Sequence, residues 1–134
     1  MRPVLVPALL TVVLLAACSD PDLDVLEAWA KRIDGRTVTY DGTMGGQSGP
    51  NGPWRIVERD GVLESAEYVG DGEPIPGFEP VTLTEALQQA IDDDPDELDV
   101  VETVGALQFS VDPDTNSIDE EWSYEATNIV ITDD

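Results

Sequence analysis

The chain contains a single cysteine, Cys18. With no second thiol there can be no intramolecular disulfide, so the residues that follow must be held together by a buried core alone. Enough of them follow for that. Residues 22–134 make one domain of ordinary size, in the range where a chain buries enough apolar surface to fold without covalent staples.

The residues ahead of Cys18 are of a different kind. Arg2 supplies a short positive start, and Val4 to Leu15 form an apolar run broken only by Pro7 and Thr11. Leu15-Ala16-Ala17 then leads into Cys18. A short apolar run ending in small residues is the pattern of a cleavable secretion signal. It is shorter than the ~20 apolar residues a membrane-spanning helix needs. Leu-Ala-Ala-Cys resembles the bacterial lipobox. That resemblance implies cleavage before Cys18 and a diacylglyceryl group on its sulfur. The alternative is an ordinary secreted protein cut near Ala17, which would leave a lone thiol in an oxidising compartment, open to intermolecular pairing. Lipidation removes that liability, and two or more acyl chains, at about 0.8 kcal/mol per buried CH₂, anchor stably. The expected organisation is a signal peptide at 1–17, the lipidated cysteine and a short tether at 18–21, and a single domain at 22–134. The expected address is the extracytoplasmic side of a cell membrane, in the cell envelope.

Charge narrows the partners. There are 29 acids and 6 bases, and from Asp60 onward 22 acids and no base. Nucleic-acid binding, dominated by Lys and Arg contacts to phosphates, is excluded, and so is a polybasic grip on anionic lipid. An acidic surface keeps a protein soluble, and it also attracts cations or a basic partner.

Hydrophobic periodicity orders the elements. Asp22 to Asp34 read as a helix, with Leu23, Leu26, Ala30 and Ile33 near helical spacing and Gly35 as its stop. Arg36 to Tyr40 read as a strand, followed by a glycine-rich connection to Pro53. Trp54 to Arg59 and Val62 to Val69 read as a hairpin around Asp60-Gly61, although their apolar residues do not alternate cleanly. Leu83, Ala86, Leu87, Ala90 and Ile91 trace an amphipathic helix. Thr82 and Glu85 form a capping box at its start, and Pro95 ends it. Leu98 to Thr103 and Leu107 to Val111 read as a second hairpin around Gly105. Trp122 to Ile131 read as a last strand, with Trp122, Tyr124, Ala126 and Val130 on one face. The expected fold class is α+β. It has an antiparallel sheet of about five to six strands and two helices packed on one face, in the order α-β-β-β-α-β-β-β.

Candidate chemistry is sparse. The absence of histidine removes Ser-His-Asp and Cys-His nucleophilic systems and every His-ligated metal site. A carboxylate pair could still do acid–base work, but among 29 carboxylates spacing carries almost no information. The expectation is therefore a protein that is not an enzyme and carries no cofactor. Gly42-Thr43-Met44-Gly45-Gly46 lacks the Gly-Lys-Ser/Thr ending of a phosphate loop. It reads as a strand connection, with Met44 and nearby Trp54 as candidate partner contacts. Asp112, Asp114 and Asn116 place oxygens at positions 1, 3 and 5, as a calcium loop does. Ser117 and Ser123 then stand where Gly and a bidentate Glu belong. Asp92, Asp93 and Asp94 lie at a helix C-terminus, where the dipole disfavours negative charge. A bound cation would relieve that, and so would solvent. Trp29, Trp54 and Trp122 read as core or core-rim residues.

Several stretches together resemble a family of small, uncharacterised bacterial lipoproteins, a domain of unknown function. They are Thr37-Val38-Thr39-Tyr40, the glycine-rich loop, Arg59-Asp60-Gly61-Val62, Thr82-Leu83-Thr84-Glu85-Ala86-Leu87, the strand end Phe109 to Asp112, and Asp119-Glu120-Glu121-Trp122-Ser123-Tyr124. The resemblance covers about residues 22 to 131. This chain differs at Gly105-Ala106-Leu107, where a Gly-Tyr-Pro-like turn is expected. The resemblance implies a fold and an address but no activity. The functional expectation is a membrane-anchored, non-enzymatic module that contacts another envelope protein. The alternatives are a calcium-binding acidic module using 92–97 and 112–121, and, by fold analogy alone, an inhibitor-like binding domain.

Overall fold

The structure is a computed structural model that describes residues 20–46, 49–116 and 121–133. Cys18, Ser19 and residues 1–17, expected to be a signal peptide, lie outside the described residues. The elements are α1 (Pro21–Ile33), β1 (Thr37–Gly45), β2 (Asn51–Arg59), β3 (Val62–Tyr68), α2 (Leu83–Asp92), β4 (Glu97–Thr103), β5 (Ala106–Asp112) and β6 (Trp122–Thr132). The expected α+β order holds throughout. The six strands form one antiparallel sheet in the order β3-β2-β1-β6-β5-β4. Two three-stranded meanders are therefore joined at the centre by the β1–β6 pair.

Local chemistry fixes the helix ends. Asp20 caps α1 by accepting from the Asp22 N–H at 3.0 Å, and Pro21 opens the helix at a position where no donor is needed. Lys31 and Arg32 complement the dipole in the last turn, and Gly35 at φ +71° turns the chain out. Thr82 caps α2 by accepting from the Glu85 N–H at 3.1 Å, and its hydroxyl donates to the Glu85 carboxylate at 3.0 Å. That is the capping box expected from sequence, with the reach-back made to the cap side chain.

Both helices lie on one face of the sheet. Leu26, Trp29 and Ile33 of α1 and Leu83, Ala86, Leu87 and Ala90 of α2 are buried against Val38, Tyr40, Ile56, Leu107, Phe109, Val111, Tyr124 and Ala126 of the strands. Removing one of the larger aliphatic residues, such as Leu26, costs about 2–5 kcal/mol. Edge strand β3 stays outside this core, exposed along most of its length.

Three details depart from the sequence expectation, each for a physical reason. First, β1 runs on to Gly45 and β2 starts at Asn51, so much of the glycine-rich stretch is strand. Gly42 is needed there for space, because a Cβ would lie 2.7 Å from the Tyr124 hydroxyl. Second, β2 and β3 do not alternate cleanly because the pairing slips by one residue between Val57↔Ser65 and Glu58↔Leu63. Third, Val130 does not share a face with Tyr124 and Ala126. A bulge in β6 opposite Tyr40, with Asn128 at φ +55°, reverses the alternation. Ile129 and Ile131 turn inward instead, and Val130 is 57% exposed.

Candidate functional site

Polar side chains gather in two places, one on each side of the sheet. On the helix side, Glu58 projects from β2 and is 1% exposed. The Tyr40 hydroxyl donates to its Oε2 at 2.6 Å, the Thr84 N–H approaches the same oxygen at 3.5 Å, and the Thr84 hydroxyl donates to Oε1. Tyr40 accepts in turn from the Leu83 N–H at 2.5 Å, and Tyr124 donates to the Val81 carbonyl at 2.5 Å. Burial pushes the Tyr40 phenol far above its ordinary value, and the neighbouring Tyr124 and Glu58 add to the effect. Burial likewise raises Tyr124. Both phenols remain hydrogen-bond donors across the physiological range. The group ties the first turn of α2 to β1, β2 and β6, and both Glu58 oxygens are engaged in doing so.

Among the described residues, the opposite face of the sheet carries no helix. Adjacent strands place Gly45, Ser123, Ser110 and Asp99 in one row across β1, β6, β5 and β4. Glu97 pairs with Asp112 in the next row toward the sheet end. These residues alternate with inward-facing Val111, Tyr124 and Leu98, so they belong to the open face. Three short residues set the floor low and longer acids stand around it. The result is a cleft of about 450 Å³ bounded by Glu97, Asp99, Asp112 and Glu121, with Ser110 and Ser123 between them. Gly45 keeps the floor open, since a Cβ there would lie 2.6 Å from the Ser123 hydroxyl and turn it aside. Among the described residues no lysine or arginine lines the cleft. Among the described residues two side-chain atoms near the cleft are buried without a hydrogen-bond partner: Asp112 Oδ1, on the open face, and Trp122 Nε1, whose ring turns to the helix side against Phe109.

At the middle of the same open face, Arg55 donates to Asp41 at 2.8 Å and Asn128 donates to the other Asp41 oxygen at 3.1 Å. The guanidinium hydrogen bond is the main reason that the Asp41 carboxyl lies below its ordinary value, and the Asn128 amide adds to it.

The residues singled out from sequence fall in different places. Asp112 lines the cleft. Asp114 accepts from the Asn116 N–H at 2.9 Å, a local turn rather than an open chelate. Asp92, Asp93 and Asp94 are exposed at the end of α2, and Asp92 accepts from Gln88 at 2.9 Å. The two acidic segments do meet, because Asp96 Oδ2 accepts from the Thr115 N–H at 3.1 Å. Among the described residues, however, no three acidic or other metal-ligating side chains converge to hold an ion. Residues 117–120 of the acidic loop lie outside the described residues. Met44 and Trp54 are half-buried on the helix side and pack against the core. Trp54 donates to Asn51 at 3.0 Å and meets Tyr68 edge-on at 5.3 Å. Trp29 is buried, donates to Glu102 and carries the Arg32 guanidinium 4.7 Å from its ring centre. Trp122 sits at the core rim, edge-on to Phe109 at 5.9 Å.

Sequence reasoning passed over Glu58 and Asp99, and it did not bring the residues of the cleft together. A carboxylate two residues after Ile56, on the inward register of a strand, is the signal for Glu58. The gathering of Glu97, Asp99, Ser110, Glu121 and Ser123 depends on cross-strand register, which no local pattern carries.

No family model, no curated protein and no solved structure matches the chain. Among the described residues no helix is long and apolar enough to cross a membrane.

Proposed function

We propose that this chain is a lipid-anchored, extracytoplasmic module of the bacterial cell envelope. It holds a protein partner on the uncovered face of its sheet and catalyses no reaction. The observation that carries this reading is the asymmetry of the sheet. Two helices bury one face, while the other presents a cleft of about 450 Å³ to solvent. The lipobox-like Leu15-Ala16-Ala17-Cys18 supports the address, and the resemblance to small bacterial lipoproteins agrees with it. The non-catalytic part rests on the lack of histidine and on Glu58, a buried carboxylate whose oxygens are already engaged by Tyr40 and Thr84.

A photo-crosslinking residue at Gln108, exposed on the open face, tests the reading in intact cells. The expected result is a discrete protein adduct from position 108 and none from Gln89, exposed on α2. Adducts from 89 alone, or from neither position, would remove it. A divalent-cation site is the second reading, favoured by the four carboxylates around the cleft. Calorimetry with calcium decides it: absence of heat and of any melting shift ends that alternative.

A further inference from the structure

We infer that the cleft on the open sheet face seats a lysine or arginine side chain from an extended basic segment of the partner, with Asp112 as its principal acceptor. This deepens the reading of the open face as the partner surface and rests on it. Charge complementarity selects the occupant. Glu97, Asp99, Asp112 and Glu121 surround the cleft, no base lines it among the described residues, and the chain supplies none after Arg59. That half of the molecule therefore has no internal counter-ion for these carboxylates, and opposite charge must come from outside. Complementarity of this kind steers encounter and fixes register.

One unpartnered atom sharpens the choice. Among the described residues, Asp112 Oδ1 is a buried acceptor without a donor. A carboxylate has no hydrogen of its own to offer, so an incoming donor satisfies it. A lysine or arginine side chain brings that donor together with the positive charge that the surrounding carboxylates lack. A bare metal ion brings no donor, and among the described residues no set of three ligands awaits one. The cleft has room for one long side chain and the backbone beside it, and the serines on its floor leave space for the aliphatic stem.

The test uses the full-length protein in neutral detergent and a capped, fluorescent peptide of alternating lysine and threonine, with a glutamine-for-lysine peptide as control. Saturable binding of the lysine peptide is expected, weakening as salt rises. Asp112→Asn, nearly isosteric, should weaken it about tenfold or more. Asp92→Asn with Asp93→Asn, a larger charge change on the exposed end of α2, should leave affinity within about threefold. Ser110→Phe, at an exposed position, fills the cleft without changing charge and should weaken binding as much as Asp112→Asn does. Thermal melts followed by circular dichroism establish that each variant is folded. Four results would each overturn the inference: no saturable binding by the parent protein, equal binding by the glutamine peptide, equal losses in the Asp112 and Asp92/Asp93 variants, or saturable calcium binding that Asp112→Asn abolishes. If the peptide fails while the Gln108 adduct persists in cells, the cationic occupant falls and the open-face reading stands.

Discussion

Replacing Tyr40 with phenylalanine removes one oxygen atom and tests how α2 is held to the sheet. The Tyr40 hydroxyl donates to Glu58 at 2.6 Å and accepts from the Leu83 N–H at 2.5 Å. Its loss deletes a hydrogen bond to a carboxylate, of the class that contributes about 1.5–3 kcal/mol. It also strands a buried backbone N–H in the first turn of α2, which costs about 1–3 kcal/mol. The Thr84 contacts to Glu58 remain, and both losses share one hydroxyl, so about 3 kcal/mol is the central expectation. Against a total stability of about 5–15 kcal/mol, that is a large fraction. Urea unfolding followed by tryptophan fluorescence reads it directly. With a slope of about 1.5 kcal/mol per molar urea, the midpoint should fall by about 2 M at unchanged slope. Tyr68→Phe is the control, because that ring is half-buried at the sheet edge, and its effect should stay below about 0.5 kcal/mol. A Tyr40→Phe loss below about 0.5 kcal/mol, or an equal loss in Tyr68→Phe, would refute the latch.

Three further perturbations follow from the same geometry. Thr82→Ala removes the α2 cap and should lower stability by about 1 kcal/mol in the same urea assay; no change would mean that the box is not engaged. Gly42→Ala drives a Cβ to 2.7 Å from the Tyr124 hydroxyl and should cost about 1–3 kcal/mol, whereas a neutral result would show that the Tyr124 ring moves freely. The Arg55 guanidinium holds the Asp41 carboxyl below its ordinary value of 3.8, so their pairing stabilises the fold above that value and is lost as pH falls through the lower folded-state value. The melting difference between the parent protein and Arg55→Gln should accordingly be constant near neutrality and shrink below pH 3.8; a difference that persists unchanged in strong acid contradicts the assignment.

The order of elements was legible because its signals are local. Thr82-Leu83-Thr84-Glu85 marks a helix start wherever it stands, and Asp60-Gly61 marks a turn, with φ of +51° and +77° in the structure. What was not legible depends on residues far apart in sequence. Gly42 reads as a loop residue until Tyr124 is seen to cross it. Val130 reads as a core residue until the bulge at Asn128 reverses the faces of β6. Glu58 reads as an ordinary surface acid unless its register with Ile56 is followed inward, and even then Tyr40 and Thr84 must be in place to satisfy it. Of the cleft, Asp112 was singled out for its place in a calcium-like spacing, and Glu97 and Glu121 fell at the ends of the two acidic stretches weighed for a cation. Asp112's partners Glu97, Asp99 and Glu121 are assembled by the pairing of β4, β5 and β6 and the approach to β6.

Mass spectrometry of the mature N-terminus tests the central claim most directly. The expected product begins at Cys18, has lost residues 1–17, and carries a diacylglyceryl group on its sulfur, from which alkali releases the ester-linked fatty acids and leaves the thioether-linked glyceryl in place. A mature chain with an unmodified Cys18 thiol, or one that retains the first 17 residues, would contradict the account.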